Sequence, residues 1–207
     1  MNRQNKTFFL TGAAGQIECA LDLPEGAPRG IALIAHPHPL FGGTMENKVV
    51  ATLDRAFVSV GYAAARMNFR GVGLTQGQHD EGRGETDDLE LLLTYMQQLY
   101  PGLPVVLGGF SFGTYVQAQL QQRMAARGEP PQRMILISAT AGKWNPPPVP
   151  ADTILMHGEL DDTILLSDVL EWARPQDIPV IVIPGGDHLF NRKLHHLRQI
   201  VTSVWRP

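Results

Sequence analysis

Short apolar segments alternate along this chain with segments in which apolar residues recur every three or four positions. Residues 31–35 form a continuous apolar run, which is typical of a strand buried on both faces of a parallel sheet. Residues 45–60 carry apolar side chains at spacings of four, four and three, which predicts an amphipathic helix. The same pattern predicts further strands at about residues 7–11, 17–23, 62–68, 105–109, 134–138, 153–157 and 180–183, and further helices at about residues 86–100, 112–127, 165–174 and 190–204.

This alternation of strands and helices predicts an α/β fold. We expect a three-layer α/β/α sandwich around a mostly parallel eight-stranded sheet that opens with an antiparallel hairpin. The 207 residues suit a single domain over 1–207. Ligands of such sheets bind beyond the carboxyl ends of the strands, so the candidate chemistry should be found there.

Composition narrows the function classes. Hydrophobic residues make up 43% of the chain and charged residues 18%, which excludes a disordered protein. The net charge of −3 gives no electrostatic case for binding nucleic acid or an anionic membrane. The single cysteine, Cys19, excludes an intrachain disulfide and a multi-cysteine zinc site. No apolar run is long enough to span a bilayer, and the one within residues 1–11 is too short for a signal peptide. We therefore expect a cytoplasmic globular protein that binds neither nucleic acid nor membrane.

The segment Gly109-Phe110-Ser111-Phe112-Gly113 fits the pattern G-x-S-x-G and lies between a predicted strand and a predicted helix. A sharp turn at this place presents a serine hydroxyl above the sheet as a nucleophile. The N–H of Phe112 then belongs to a helix N-terminus, where it can bind an oxyanion. The alternative is a glycine-flanked serine that only caps an ordinary strand-to-helix turn.

Acidic residues and a histidine follow the next strands in the chain order of a Ser-Asp-His triad. Glu159, Asp161 and Asp162 come after the predicted strand 153–157, and His188 comes after the strand 180–183. A serine needs a base, and the base needs an acid that fixes its tautomer. This spacing favours the hydrolase interpretation over the capping serine, but by itself it leaves three candidates for the acid.

With these motifs the chain resembles the α/β-hydrolase superfamily over nearly all its length. The segments His36-Pro37-His38-Pro39, Gly42-Gly43-Thr44-Met45 and Asn68-Phe69-Arg70-Gly71-Val72-Gly73 are similar to those of small lidless bacterial serine hydrolases related to dienelactone hydrolases. A serine in place of the cysteine nucleophile of dienelactone hydrolases argues against their lactone chemistry.

The resemblance implies roles for individual residues. Ser111 would be the nucleophile and His188 the general base, and the pattern H-G-x-x-D places the acid on Asp161. Asp162 is then expected to cap the backbone near Ile164. Neither Pro37 nor Pro39 has a backbone N–H. The N–H of His38 is therefore the expected second oxyanion donor, with that of Leu40 as the alternative.

The connection over residues 139–152 is too short for the helical cap that larger relatives insert there. It carries Trp144, which we expect near Ser111 as a wall of the substrate pocket, although simple packing explains it equally well. Leu40 is a second candidate for substrate contact. His36 and His38 form an H-x-H pair, but we predict no metal site because a third ligand is missing.

These features predict a cofactor-free serine hydrolase that cleaves a small-molecule carboxylic ester or thioester through an acyl-enzyme. Two alternatives stay open. The same triad could serve a peptidase or amide hydrolase, and the fold could belong to a binding or scaffold protein with little turnover.

Overall fold

The computed structural model describes residues 5–205 of the chain, and these form eight strands and five α-helices. The strands are β1 (Asn5–Gly12), β2 (Gly15–Asp22), β3 (Gly30–Ala35), β4 (Tyr62–Met67), β5 (Val105–Phe110), β6 (Arg133–Ile137), β7 (Ile154–Gly158) and β8 (Val180–Ile183). The α-helices are α1 (Lys48–Ser59), α2 (Arg83–Leu99), α3 (Phe112–Ala126), α4 (Leu166–Ala173) and α5 (Leu194–Val204), and short 3-10 helices span Pro39–Phe41 and Arg174–Gln176.

All eight strands lie in one sheet, in the order β1-β2-β4-β3-β5-β6-β7-β8. β1 and β2 are antiparallel to their neighbours, and every pair from β4 through β8 is parallel. Every residue of β3, β4 and β5 is buried, as expected of central strands in a parallel sheet. The one charged residue in these three strands, Arg66 of β4, forms buried ion pairs with Asp22 and Asp54.

Helices cover both faces of the sheet. α1 and α5 bury Phe57 and Leu197 in the apolar core on one face. α2 and α3 bury Leu92 and Leu120 in the core on the other face. The predicted three-layer sandwich with a mostly parallel eight-stranded sheet is therefore confirmed. Residues 138–153, between β6 and β7, contain neither helix nor strand, so no cap is inserted there. No helix within residues 5–205 combines the length and the apolar character needed to cross a bilayer.

Three helix starts differ from those that periodicity predicts, and a polar contact explains each difference. The side chain of Asn47 accepts a hydrogen bond of 2.9 Å from the N–H of Val49, so α1 starts at residue 48 instead of 45. At α2, Glu85 accepts a hydrogen bond of 2.9 Å from the N–H of Gly82, which starts that helix at residue 83 instead of 86.

The third difference concerns the last helix. Phe190 fits the apolar stripe of α5, but it precedes that helix and has a φ of 52°. Asp187 accepts a hydrogen bond of 2.8 Å from the N–H of Asn191 and so closes a turn over these residues. Phe190 is nevertheless fully buried, so the apolar pattern correctly predicted its burial but not its backbone conformation.

Candidate active site

Ser111 lies on the sharp turn between β5 and α3, in a strained conformation with φ 53° and ψ −124°. The chain can turn this tightly only because the flanking residues are glycines. A Cβ atom at Gly113 would lie 2.4 Å from the carbonyl oxygen of Ala35, and one at Gly109 would lie 2.7 Å from the carbonyl oxygen of Gly113. The backbone N–H of Ser111 also donates to the carbonyl of Ile137 at 2.9 Å, which fixes the turn to the end of β6. The G-x-S-x-G pattern thus has a steric origin here.

His188 follows β8, and its Nδ1 lies 2.8 Å from Oδ2 of Asp161, which follows β7. Oδ2 of Asp161 also accepts a 2.8 Å hydrogen bond from the hydroxyl of Ser138. The pairing fixes the imidazole tautomer, because the Nδ1–H donates to the carboxylate and Nε2 remains as an acceptor. A proton could therefore be accepted at Nε2.

The other oxygen of Asp161, Oδ1, accepts hydrogen bonds from the N–H groups of Thr163 at 3.0 Å and Ile164 at 2.9 Å. Burial alone would raise the pKa of the Asp161 carboxyl, but the hydrogen bonds from His188, Ile164 and Ser138 lower it below its usual value. Asp161 is therefore held as a buried carboxylate with both oxygens occupied.

This geometry corrects the expectation for Asp162. The backbone near Ile164 is capped by Asp161 and not by Asp162, whose side chain is exposed. One carboxylate thus both caps the turn after β7 and holds the histidine. Ser138 was missed by the sequence analysis; the signal that could have found it is its position directly after β6, at the same edge of the sheet as the other polar residues.

Ser111 and His188 line one cavity of about 530 Å³ beyond the carboxyl ends of the strands. Its remaining lining comes from the end of β5, the loop before α1, the turn after β7 and the loop before α5. These residues are Pro37, His38, Phe41, Gly42, Gly43, Asn47, Phe110, Asp162, Thr163, Asp187, Leu189 and Asn191.

The two candidates for substrate contact lie elsewhere. Leu40 is exposed on the first 3-10 helix, and Trp144 packs against the ring of Phe112 at a centroid distance of 5.1 Å. Neither is among the described residues that line the cavity. Trp144 instead belongs to an aromatic cluster with His38, His79, Phe112 and Tyr115. The described contacts of Trp144 are thus those of a packing residue.

The two candidate oxyanion donors are on adjacent elements. Phe112 is the first residue of α3, so its N–H has no partner within the helix. His38 precedes the first 3-10 helix, and its ring lies 4.8 Å from that of Phe112 between centroids. The N–H of Leu40 donates to Nδ1 of His38 at 3.2 Å. Because that amide is engaged, His38 suits the role of second donor better than Leu40.

His36 joins this loop to the segment that follows β4. Its Nδ1 lies 2.6 Å from the carbonyl oxygen of Pro37, and its Nε2 accepts a 2.8 Å hydrogen bond from the N–H of Phe69. Burial lowers the pKa of His36 to about 3, so the ring is neutral. His36 and His38 therefore serve separate contacts, and no three His, Cys, Asp or Glu side chains within residues 5–205 are grouped so as to hold a metal ion.

The fold is that of an α/β hydrolase, and the candidate site lies beyond the carboxyl ends of its strands. Residues 26–180 match the family described as "Serine aminopeptidase, S33". XC6422 from Xanthomonas campestris, described as an a/b serine hydrolase without lid, is 32% identical, with a TM-score of 0.89 over 98% of this chain and 94% of that one. An α-β serine hydrolase homologue from Coxiella burnetii is 30% identical, with a TM-score of 0.86 over 97% of each chain. An uncharacterised protein of Rickettsia prowazekii, RP471, is 31% identical over 95% of this chain and 87% of its own.

The chain therefore belongs to the α/β serine hydrolase family, and its similar structures include one described as without a lid. This agrees with the resemblance that its motifs indicate.

Proposed function

We propose that the protein is a serine hydrolase that cleaves carboxylic esters or thioesters of small molecules through an acyl-enzyme. The observation that carries the proposal is the 2.8 Å contact between Asp161 and His188, in a cavity that His188 shares with the strained Ser111 turn. Strain and a buried, ionised partner for a histidine are typical of sites selected for chemistry.

In this proposal Oγ of Ser111 attacks the substrate carbonyl and gives its proton to Nε2 of His188. The N–H groups of Phe112 and His38 bind the oxyanion that develops. The bond from the carbonyl carbon to the leaving oxygen or sulfur then breaks, and the leaving group takes the proton from His188. Water, deprotonated by His188, then attacks the acyl carbon. The bond from that carbon to Oγ breaks, and His188 returns the proton to Oγ, which releases the acid and restores Ser111. Asp161 orients His188 and stabilises its protonated form in both steps.

A panel of substrates with one common acyl group tests this proposal. We would measure kcat/KM for its p-nitrophenyl ester, its thioester and its p-nitroanilide, with wild-type protein and with Ser111→Ala. Ester or thioester hydrolysis should fall by about 10³ or more in Ser111→Ala, because a triad acts as a unit. Near wild-type turnover by a folded Ser111→Ala protein would overturn the proposal.

A second candidate is an aminopeptidase or amide hydrolase, which the description of the matched family favours. The same panel separates the two. An anilide that is cleaved with a higher kcat/KM than the ester would favour the peptidase. No turnover of any substrate would favour a binding protein with the hydrolase fold.

A further inference from the structure

Two carboxylates lie beside the candidate triad on the wall of the cavity. Asp162 follows Asp161 in the turn after β7, and Asp187 precedes His188 in the loop after β8. The lining among the described residues contains no lysine or arginine. A substrate in this cavity therefore has two carboxylates, and no lysine or arginine, among the described residues that line it.

The two carboxylates differ in how firmly they are held. Asp187 accepts hydrogen bonds from the backbone N–H of Asn191 at 2.8 Å and from its side-chain amide at 2.5 Å, which lower the pKa of Asp187. Lys48 donates to Asn191 from outside the lining and offsets part of that charge. Asp162 is exposed and accepts a hydrogen bond of 3.4 Å from the hydroxyl of Thr163. Among the described residues, no lysine, arginine or histidine forms an ion pair with it.

Apolar side chains face the same cavity. Phe41 is 87% exposed at the tip of the first 3-10 helix, and Leu189, directly after His188, is also exposed. Exposed large apolar side chains that line a cavity are typical of surfaces that a ligand covers. The wall thus offers an apolar surface and a negative charge within one cavity.

We propose that the preferred substrates are esters or thioesters that carry a positively charged group next to an apolar one, and that substrates with an anionic group are disfavoured. This rests on the proposed function, because it assigns a substrate class to the same site. One exposed charge pair changes binding by up to about fivefold. Because the two carboxylates attract a cationic substrate and repel an anionic one, the difference between these substrates should be measurable.

Three p-nitrophenyl esters test the inference, with acyl chains of equal length that end in trimethylammonium, tert-butyl or carboxylate. The first two ends have the same shape, so their comparison isolates charge. A matching series places the three ends on the leaving thiol of a thioester, so that either half of the substrate can meet the carboxylates. We expect kcat/KM for the cationic substrate to exceed that for the anionic one by about tenfold or more in at least one series.

Asp162→Asn should reduce that ratio severalfold, and so should 0.5 M NaCl, because exposed charges are screened by salt. Glu25→Gln is the matched control: this exposed carboxylate precedes β3, at the amino end of the parallel strands and thus opposite the cavity, so the ratio should stay as in wild type. Equal rates for cationic and anionic substrates in both series, or a ratio that Asp162→Asn leaves unchanged, would overturn the inference while the hydrolase proposal stands. Failure to hydrolyse any of the six substrates would instead count against the proposed function itself.

Discussion

Asp161 and His188 are joined by a 2.8 Å hydrogen bond between Oδ2 and Nδ1, although 27 positions separate them in the chain. The same carboxylate accepts from the Ser138 hydroxyl and from two backbone N–H groups, so its position is fixed by three different segments. Asp162, its neighbour in sequence, makes none of these contacts and is exposed. The two adjacent aspartates should therefore respond very differently to the same substitution.

Asp161→Asn should lower kcat/KM for a neutral ester by up to about 10⁴, because an amide presents its NH2 group to Nδ1 of His188 and favours the wrong tautomer. We also expect a lower Tm, since the amide cannot accept from both Ser138 and His188 as the carboxylate does. Asp162→Asn should change kcat/KM for the same ester by less than about tenfold and leave Tm nearly unchanged. Esterase assays and calorimetry on both variants check this, and an activity loss confined to Asp162→Asn would move the acid by one position.

Gly108 and Gly109 provide a matched pair for the role of the turn at Ser111. A Cβ atom at Gly109 would lie 2.7 Å from the carbonyl oxygen of Gly113, whereas one at Gly108 would have its nearest contact at 3.5 Å, with Phe57. Gly109→Ala should push the start of α3 away from β5, with a loss of about tenfold or more in kcat/KM and a lower Tm, since a small displacement of reacting groups is costly. Gly108→Ala should retain activity and stay within about 1 kcal/mol of wild-type stability. Equal effects of the two substitutions would show that the close approach at Gly109 is unimportant.

His36 should make the stability of the protein depend on pH between 7 and 5. Its pKa is about 3 in the folded protein and about 6.5 when unfolded, so below pH 6.5 the unfolded chain binds a proton that the folded chain does not. The contribution of neutral His36 to the free energy of unfolding is thus complete above pH 6.5, and it is lost progressively as the pH falls towards 3. This group alone should lower the free energy of unfolding by about 2 kcal/mol from pH 7 to pH 5.

Urea unfolding of wild type and His36→Gln at both pH values measures that effect. The variant should be less stable at pH 7, because the contacts to Pro37 and Phe69 are weakened, but it should lose less stability on going to pH 5. Burial also lowers the pKa of His157, so part of the pH dependence should remain in the variant. If the free energy of unfolding fell equally from pH 7 to pH 5 in both proteins, the pKa of His36 would not be lowered by folding.

The absence of any helix between residues 138 and 153 predicts how activity responds to aggregated substrates. With no inserted cap to move aside there, the enzyme should prefer short, soluble acyl esters, and its rate should rise smoothly with substrate concentration. Hydrolysis of esters of graded chain length across their critical micelle concentrations measures this. A sharp rise in rate above that concentration, with long-chain triglycerides preferred, would contradict the expectation.

The elements and their order could be predicted because burial on both faces leaves a clear apolar pattern, as in β3 and β5. The features that the pattern missed depend on polar contacts between residues that are close in space. Asn47 caps the start of α1, and Asp187 closes the turn that keeps Phe190 out of α5. The spacing of apolar residues along the chain reveals neither contact. That Asp161, and not Asp162, caps the backbone near Ile164 depends on a side-chain direction, which spacing along the chain does not determine. Trp144 could be placed on the connection after β6, but its packing against Phe112 requires the three-dimensional arrangement.

The most direct test of the central claim is to map where a fluorophosphonate reacts. Such a probe forms a bond only with an activated nucleophile. Intact mass spectrometry of the inactivated protein should therefore show one adduct, and peptide mapping should place it on the peptide that contains Ser111. Loss of ester hydrolysis should follow the fraction labelled, and Ser111→Ala should remain unlabelled under the same conditions. Labelling at another residue, or full ester hydrolysis by protein whose Ser111 is completely modified, would contradict the assignment of Ser111 as the nucleophile.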